Sequence, residues 1–156
     1  MDDVEVRVMR IFNTYGQCML PDDGRVVSNS IVQALWSEPL KLYGDGFQTR
    51  SLCCVSDLIE GMMRLTNGAH TGPLNIGNPD EFTIRQLADL LRARMNPALP
   101  LIEKPLLQDD PIQRKPLLDL ACDQLKWQPT VSLDQGLDPT IDSFRKVLGL
   151  QPQPEA

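Results

Sequence analysis

Apolar and polar residues alternate from Val4 to Val8, and the apolar character runs on to Phe12. Alternation with period two marks a strand, so residues 4–12 read as a strand that Arg7 and Arg10 interrupt. Asn13, Thr14, Gly16, Pro21 and Gly24 follow at once and turn the chain at the surface. The period then changes. In "RVVSNSIVQALW", residues 25–36, Val27, Ile31, Ala34 and Leu35 share one face of a helix that Pro39 ends. "LKLYGDG" is a short strand closed by Gly-Asp-Gly, and "TRSLCCV" is extended. "SDLIEGMMRLTNG" predicts a helix with Ser56 as N-cap, Gly68 near its end, and Leu58, Met62 and Leu65 on its inner stripe.

"GPLNIGNP" holds a short buried strand ended by Gly77 and Pro79, and "TIRQLADLLRARM" is the clearest helix in the chain. Thr83 and Gln86 have capping-box spacing there; Ile84, Leu87, Ala88, Leu91 and Met95 form its apolar face, and Arg94 falls outside. "NPALPLIEKP" is loop plus strand, and "LLDLACDQLKW" a short helix. In "SLDQGLDPTIDSFRKVLG", Ser132 and Gln135 repeat the capping box, and Leu133, Leu137, Ile141, Phe144 and Leu148 line one face. Pro139 lies inside that helix, at a cost of about 3 kcal/mol unless a kink accommodates it. Strands alternating with helices give the α/β class. Residues 1–150 form one region without repeat or linker, and 151–156, "QPQPEA", read as a disordered tail.

A chain of 156 residues, 42% hydrophobic and 23% charged, suits one soluble globular domain. No apolar run approaches a membrane span, and "MDDVEVRVMR" is too acidic for a signal peptide. A net charge of −6 excludes a general nucleic-acid or anionic-membrane surface, so an anionic ligand must be met by local basic groups. Cys18, Cys53, Cys54 and Cys122 show neither CxxC pairing nor zinc-like spacing with His70, which sits in the loop "NGAHTGP". They read as reduced thiols of a reducing compartment, the cytoplasm, and His70 as a solvated loop residue. A Golgi form anchored through sequence outside these residues stays open. Asp22–Asp23 and Asp109–Asp110 read as solvated turn acids, and no Ser-His-Asp set, carboxylate dyad or metal cluster stands out.

Taken together, "VRVMRIFNTYG", "DDGRVVSNSIVQAL", "LYGDGFQTRSLCCVSDLIEGMMRL", "GPLNIGNPDEFTIRQLA" and "DDPIQRKPLLDLA" resemble one family over about residues 4–148. It is the extended short-chain dehydrogenase/reductase family, and within it the UDP-glucuronate decarboxylases that make UDP-xylose. The resemblance covers the C-terminal portion of such an enzyme. It implies the last Rossmann strands plus the small substrate-binding α/β subdomain. Other nucleotide-sugar dehydratases or epimerases, and a non-catalytic binding or interaction module, are the competing readings. The resemblance implies NAD as cofactor, hydride transfer from the sugar, loss of CO₂ and return of the hydride, with a Tyr-x-x-x-Lys pair moving the proton. These 156 residues contain neither that pair nor a G-x-G-x-x-G turn, since Met19 follows Tyr15 at +4 and Phe47 follows Tyr43. No catalytic residue and no metal ligand is therefore assigned, and the chain alone is expected to be inactive.

The resemblance also implies a UDP-sugar site, for UDP-glucuronate or UDP-xylose. Arg50 and Arg114 match arginines at the diphosphate, where a guanidinium fork can give two charge-assisted bonds. Asn13 matches a nucleotide-sugar contact and Thr14 a position near the nicotinamide cofactor. Arg25 and Ser28 fall where a helix begins beside the ligand, although Asp22 and Asp23 there would oppose an anion. Tyr43 matches the segment flanking the base, with a core position as the alternative. Gln17–Cys18 replaces a usual Pro-Arg, Cys54 a usual aromatic, and Leu117 a usual aspartate. The apolar strand at 4–12 is expected to pair outside the chain, with an absent partner half or a second copy, leaving Val6, Val8 and Ile11 poorly packed.

Overall fold

The computed structural model describes residues 4–105 and 115–150. Arg114, Asp109–Asp110 and the tail at 151–156 lie outside the described residues. The elements run β1 (Met9–Ile11), β2 (Thr14–Tyr15), α1 (Val26–Leu35), β3 (Leu40–Tyr43), β4 (Thr49–Ser51), β5 (Cys53–Cys54) and α2 (Val55–Asn67). They continue with β6 (Leu74–Ile76), β7 (Glu81–Thr83), α3 (Ile84–Met95), β8 (Leu101–Lys104), α4 (Asp119–Leu125) and α5 (Leu133–Val147). This is the expected α/β arrangement. β1 pairs with β6, β2 with β5 and β3 with β8, all parallel, while β4 pairs antiparallel with β7.

The first strand differs from the expectation. Regular pairing is confined to Met9–Ile11, and its neighbour β6 lies inside the chain. Leu74 N–H donates to the Val8 carbonyl and Phe12 N–H to the Ile76 carbonyl, both at 3.0 Å. The short buried run Leu74–Ile76 can satisfy only that many residues, so Val4, Val6 and Val8 stay exposed ahead of the ladder and Ile11 stays exposed within it.

α2 starts two residues earlier than its polar residues suggest. Cys54 is the N-cap and makes no side-chain cap bond, because β5 feeds straight into the helix; Ser56 lies in the first turn. The third helical residue, Asp57, is buried. Its carboxylate accepts Thr130 N–H at 3.1 Å, Val131 N–H at 2.9 Å and the Thr130 hydroxyl at 2.9 Å. Its carbonyl takes the Trp127 indole N–H at 3.0 Å. The start of α2 thereby pins the segment leading into α5. One turn on, Gly61 rather than Met62 faces the core: a Cβ there would sit 3.1 Å from Ile76 and 3.2 Å from Trp127. The large indole takes the space, and Met62 and Met63 turn outward.

Both capping boxes form, at Thr83–Gln86 and Ser132–Gln135. Pro139 is carried inside α5. The acceptor it leaves without an N–H is the carbonyl of exposed Gln135, which water can serve, and the Thr140 hydroxyl donates to Gly136 O at 2.6 Å. Arg94 is no free outer residue: it ties α3 to α5, 2.8 Å from Asp138 and also paired with Asp134. α1, α3 and α5 close around Tyr15, Leu91, Leu137 and Phe144; Trp127 centres a second cluster with Leu74, Ile76 and Leu125. His70 is half-buried rather than solvated, since its loop folds back and sets the ring against Gly72.

Candidate functional site

A cavity of about 280 Å³ opens between the loop after β1, one face of α1, and β3–β4. Of the residues singled out from the sequence, Asn13, Thr14, Arg25, Tyr43 and Arg50 line it. Asn13 is held where the ladder ends, its carbonyl accepting Cys53 N–H at 2.9 Å. The Thr14 hydroxyl donates to Phe12 O at 2.9 Å, and the Thr14 carbonyl accepts from the Arg25 guanidinium at 3.3 Å. Arg50 stands on β4 opposite Phe82 and is only 9% exposed. Its Nη1, one arm of the guanidinium fork, donates to the Thr49 carbonyl at 2.7 Å. Tyr43 is 40% exposed, so it is a wall residue and not a core one.

Ser28 is brought elsewhere. It is fully buried, and its hydroxyl is engaged by the Asp23 carboxylate and by Arg25 O at 2.9 Å. Asp23 also accepts Arg25 N–H at 3.0 Å and pairs with the Arg25 guanidinium at 3.5 Å. The amino end of α1, which would attract an anion, is thus already served by the chain's own carboxylate. The sequence reading also passed over Lys41, Gln33 and Gln48, all of which line the cavity. Their signals were present: Lys41 lies two residues before Tyr43 on the same strand face, and Gln33 continues the i, i+4 row of Arg25 and Asn29.

The electrostatics of the cavity oppose those of the chain. Arg25, Lys41 and Arg50 line it without a carboxylate among the described lining residues, against a net charge of −6 overall. Such walls suit an anion with polar appendages. They carry no acid–base pair. Tyr15 is buried against α5, its hydroxyl 3.3 Å from Ser132 O, and burial together with Cys54, Cys53 and Asp57 holds its pKa well above the ordinary value. Burial, then the nearby Asp57 and Cys54, raises the Cys53 thiol to about 12. All four cysteines are free; Cys18 and Cys122 are exposed, and Cys53 and Cys54 are buried. Among the described residues no group of acids, cysteines and histidine is arranged to hold a metal.

A sequence model of the NAD dependent epimerase/dehydratase family matches residues 1–77. UDP-glucuronic acid decarboxylases 4 and 2 of Arabidopsis thaliana are 52% and 53% identical over 97% and 92% of this chain. The chain is similar to the NAD dependent epimerase/dehydratase family over just under half of its length. It spans about a third of the length of those relatives, 34% and 32%. Among solved structures, UDP-glucose 4-epimerase of Thermotoga maritima with UDP-glucose superposes with TM-score 0.86 at 29% identity, over 91% of this chain and 46% of that one. UDP-glucuronic acid 4-epimerase of Bacillus cereus, in complex with UDP-glucuronic acid and NAD, gives 0.85 at 26% identity, over 92% and 46%. NAD is thus a property of the family. The described residues do not form a cradle for its pyrophosphate: α2 and α3 follow strands directly, α1 starts from Arg25, and Thr83 and Ser132 cap their own helices. No described helix is long and apolar enough to cross a membrane.

Proposed function

We propose that this chain is the nucleotide-sugar-binding portion of a UDP-glucuronate decarboxylase, which turns UDP-glucuronate into UDP-xylose and CO₂. The observation that carries the reading is the cavity in which Arg25, Lys41 and Arg50 meet Asn13 and Tyr43, with no carboxylate among the described lining residues. Arg50 offers its fork to the diphosphate, with Arg114 as a second cation from outside the described residues. Asn13, at the strand end, takes the sugar side, and Tyr43 flanks the base. Thr14 sits where the nicotinamide end of NAD would approach; the rest of that cofactor is held by residues other than these. The chain's own part in the reaction is to bind and orient the sugar nucleotide and to neutralise its charge. Identity above 50% to decarboxylases, against 26–29% to the epimerases, favours decarboxylation over epimerisation. The exposed face of Val4, Val6, Val8 and Ile11 supports pairing with another segment or a second copy.

UDP titration followed by NMR tests the site. Shifts should cluster at Asn13, Arg25, Tyr43 and Arg50, and Arg50→Ala should weaken binding by roughly ten- to a hundredfold, the worth of a charge-assisted hydrogen bond. Exposed Lys146 on α5 is the control position, because Arg94 bridges two helices. An absence of shifts at millimolar UDP refutes the reading of the site. The chain alone should release no CO₂ from UDP-glucuronate with NAD added, and turnover above a heat-treated control would overturn the division of roles.

A further inference from the structure

The backbone of the first strand has one edge in use and one free. Leu74 N–H donates to the Val8 carbonyl and Phe12 N–H to the Ile76 carbonyl, so the even-numbered residues turn their backbone groups to β6. Those of Glu5, Arg7, Met9 and Ile11 turn to the opposite edge. Among the described residues β1 pairs with β6 alone. Side chains alternate as well. Arg7 and Met9 lie half-buried on the α2 side, where the Arg7 guanidinium donates to Gly68 O at 2.9 Å and to the Glu5 carboxylate at 3.1 Å. Val4, Val6 and Val8 stand exposed on the other face. An apolar, unpaired edge of this kind recruits another strand.

We propose that two copies of this chain pair antiparallel along that free edge, with Val6 on the two-fold axis. The inference goes beyond the nucleotide-sugar reading and does not need it. What fixes the occupant is the order of charges. In "VEVRV", residues 4–8, an acid and a base stand on either side of Val6. Turned end for end, the segment complements itself: Glu5 of each copy meets Arg7 of the other, and Val4 meets Val8. A two-fold interface requires such self-complementarity. Glu5 and Arg7 take the hydrogen-bonded positions of the new ladder, because their backbone groups face the free edge. The valines take the non-hydrogen-bonded positions, where opposite side chains come closest. The neighbouring registers that keep this phase fail. Centring on Glu5 sets two carboxylates against each other at the axis, and centring on Arg7 sets two guanidiniums there.

Sedimentation equilibrium of the 156-residue chain, from micromolar to millimolar concentration at fixed ionic strength, tests the proposal. Wild type should show a reversible monomer–dimer equilibrium. Glu5→Arg alone and Arg7→Glu alone each turn two attractive pairs into two repulsive ones, and each should weaken dimerisation by at least about tenfold. Mixed in equal amounts, the two variants should pair with each other, since every arginine then faces a glutamate. Arg7→Glu gives up the bond to Gly68 O, so its fold is verified by melting temperature. Val6→Lys, at an exposed position, sets two ammonium groups on the axis and should dissociate the pair without that risk. Val147→Lys, exposed on α5, should change nothing. A wild type that stays monomeric at millimolar concentration overturns the proposal. So does a dimer that Glu5→Arg and Val6→Lys leave intact, and so does a mixture of folded single variants that fails to pair. UDP binding is read separately, so loss of the dimer leaves the nucleotide-sugar reading standing.

Discussion

Replacing Asp57 separates the loss of an acceptor from the loss of a charge. The buried carboxylate accepts two backbone N–H groups and a hydroxyl, all within 3.1 Å, from residues 73 and 74 positions further along the chain. Hydrogen bonds to a charged group contribute about 1.5–3 kcal/mol when fully shielded. Thr130 is exposed and Val131 half-buried, so water can replace part of what is lost. Asp57→Ala should therefore cost about 2–4 kcal/mol rather than the sum of three such bonds. Asp57→Asn has a way out. Turned with its oxygen toward the two N–H groups, the amide donates its NH₂ to the Thr130 hydroxyl, and all three contacts survive as neutral ones. Its cost should be about 1 kcal/mol. Urea denaturation of the three proteins at pH 7 reads both numbers, with an unchanged m-value as the sign that the native state is intact. An alanine variant within about 0.5 kcal/mol of wild type would show that the tether between α2 and the lead into α5 carries no weight. An asparagine variant as damaged as the alanine one would refute the acceptor argument.

Gly136→Ala should destabilise the chain by roughly 1–2 kcal/mol although alanine is the better helix former, because the new methyl would collide with the Tyr15 ring, 2.8 Å from Cζ; a melting temperature at or above wild type would refute this. At pH 8, alkylation of the native chain should mark exposed Cys18 and Cys122 and spare Cys53 and Cys54, and mass spectrometry checks the pattern. Because burial raises the Cys53 pKa from the ordinary 9 to about 12, the folded state holds that proton more tightly than the unfolded one. The associated stability is present below pH 9 and declines as pH rises from 9 toward 12. Cys53→Ala should flatten that decline, and an unchanged slope in alkaline denaturation would count against it.

What the sequence made legible was periodicity and capping, and both are local. The two capping boxes form because Ser132 and Thr83 need only their own next three residues. The misplaced features are those decided by partners far along the chain. Met62 has the right spacing for the inner stripe of α2, yet Trp127, more than sixty residues later, takes that place over Gly61. The N-cap shifts from Ser56 to Cys54 because β5 ends against the helix with no turn between. Asp57 reads as an ordinary first-turn acid; only the return of Thr130 and Val131 reveals it as a buried tether. The cavity follows both rules. Asn13 and Arg50 were singled out through motif resemblance, while Lys41 shares the strand face of Tyr43 by local alternation, and the pairing of β3 with β8 and its bond to Gln33 set that face on the cavity.

Ser28 and Tyr15 show the same limit in chemical terms, and together they bear on what the chain can do. A serine near a helix start looks available to an anion, but here Asp23 occupies it and balances Arg25, so α1 offers a ligand its side face rather than its end. A tyrosine at a strand end beside the site looks like an acid–base group, yet proton transfer at neutral pH calls for a lowered pKa. The Tyr15 environment moves it the other way, through burial first and then the thiols and carboxylate around it. Tyr15 is a packing residue, wedged so tightly against Gly136 that the helix has no room for a side chain there. With Tyr15 committed to the core, the cavity keeps three cations, amide groups and one open ring as its polar and aromatic lining among the described residues.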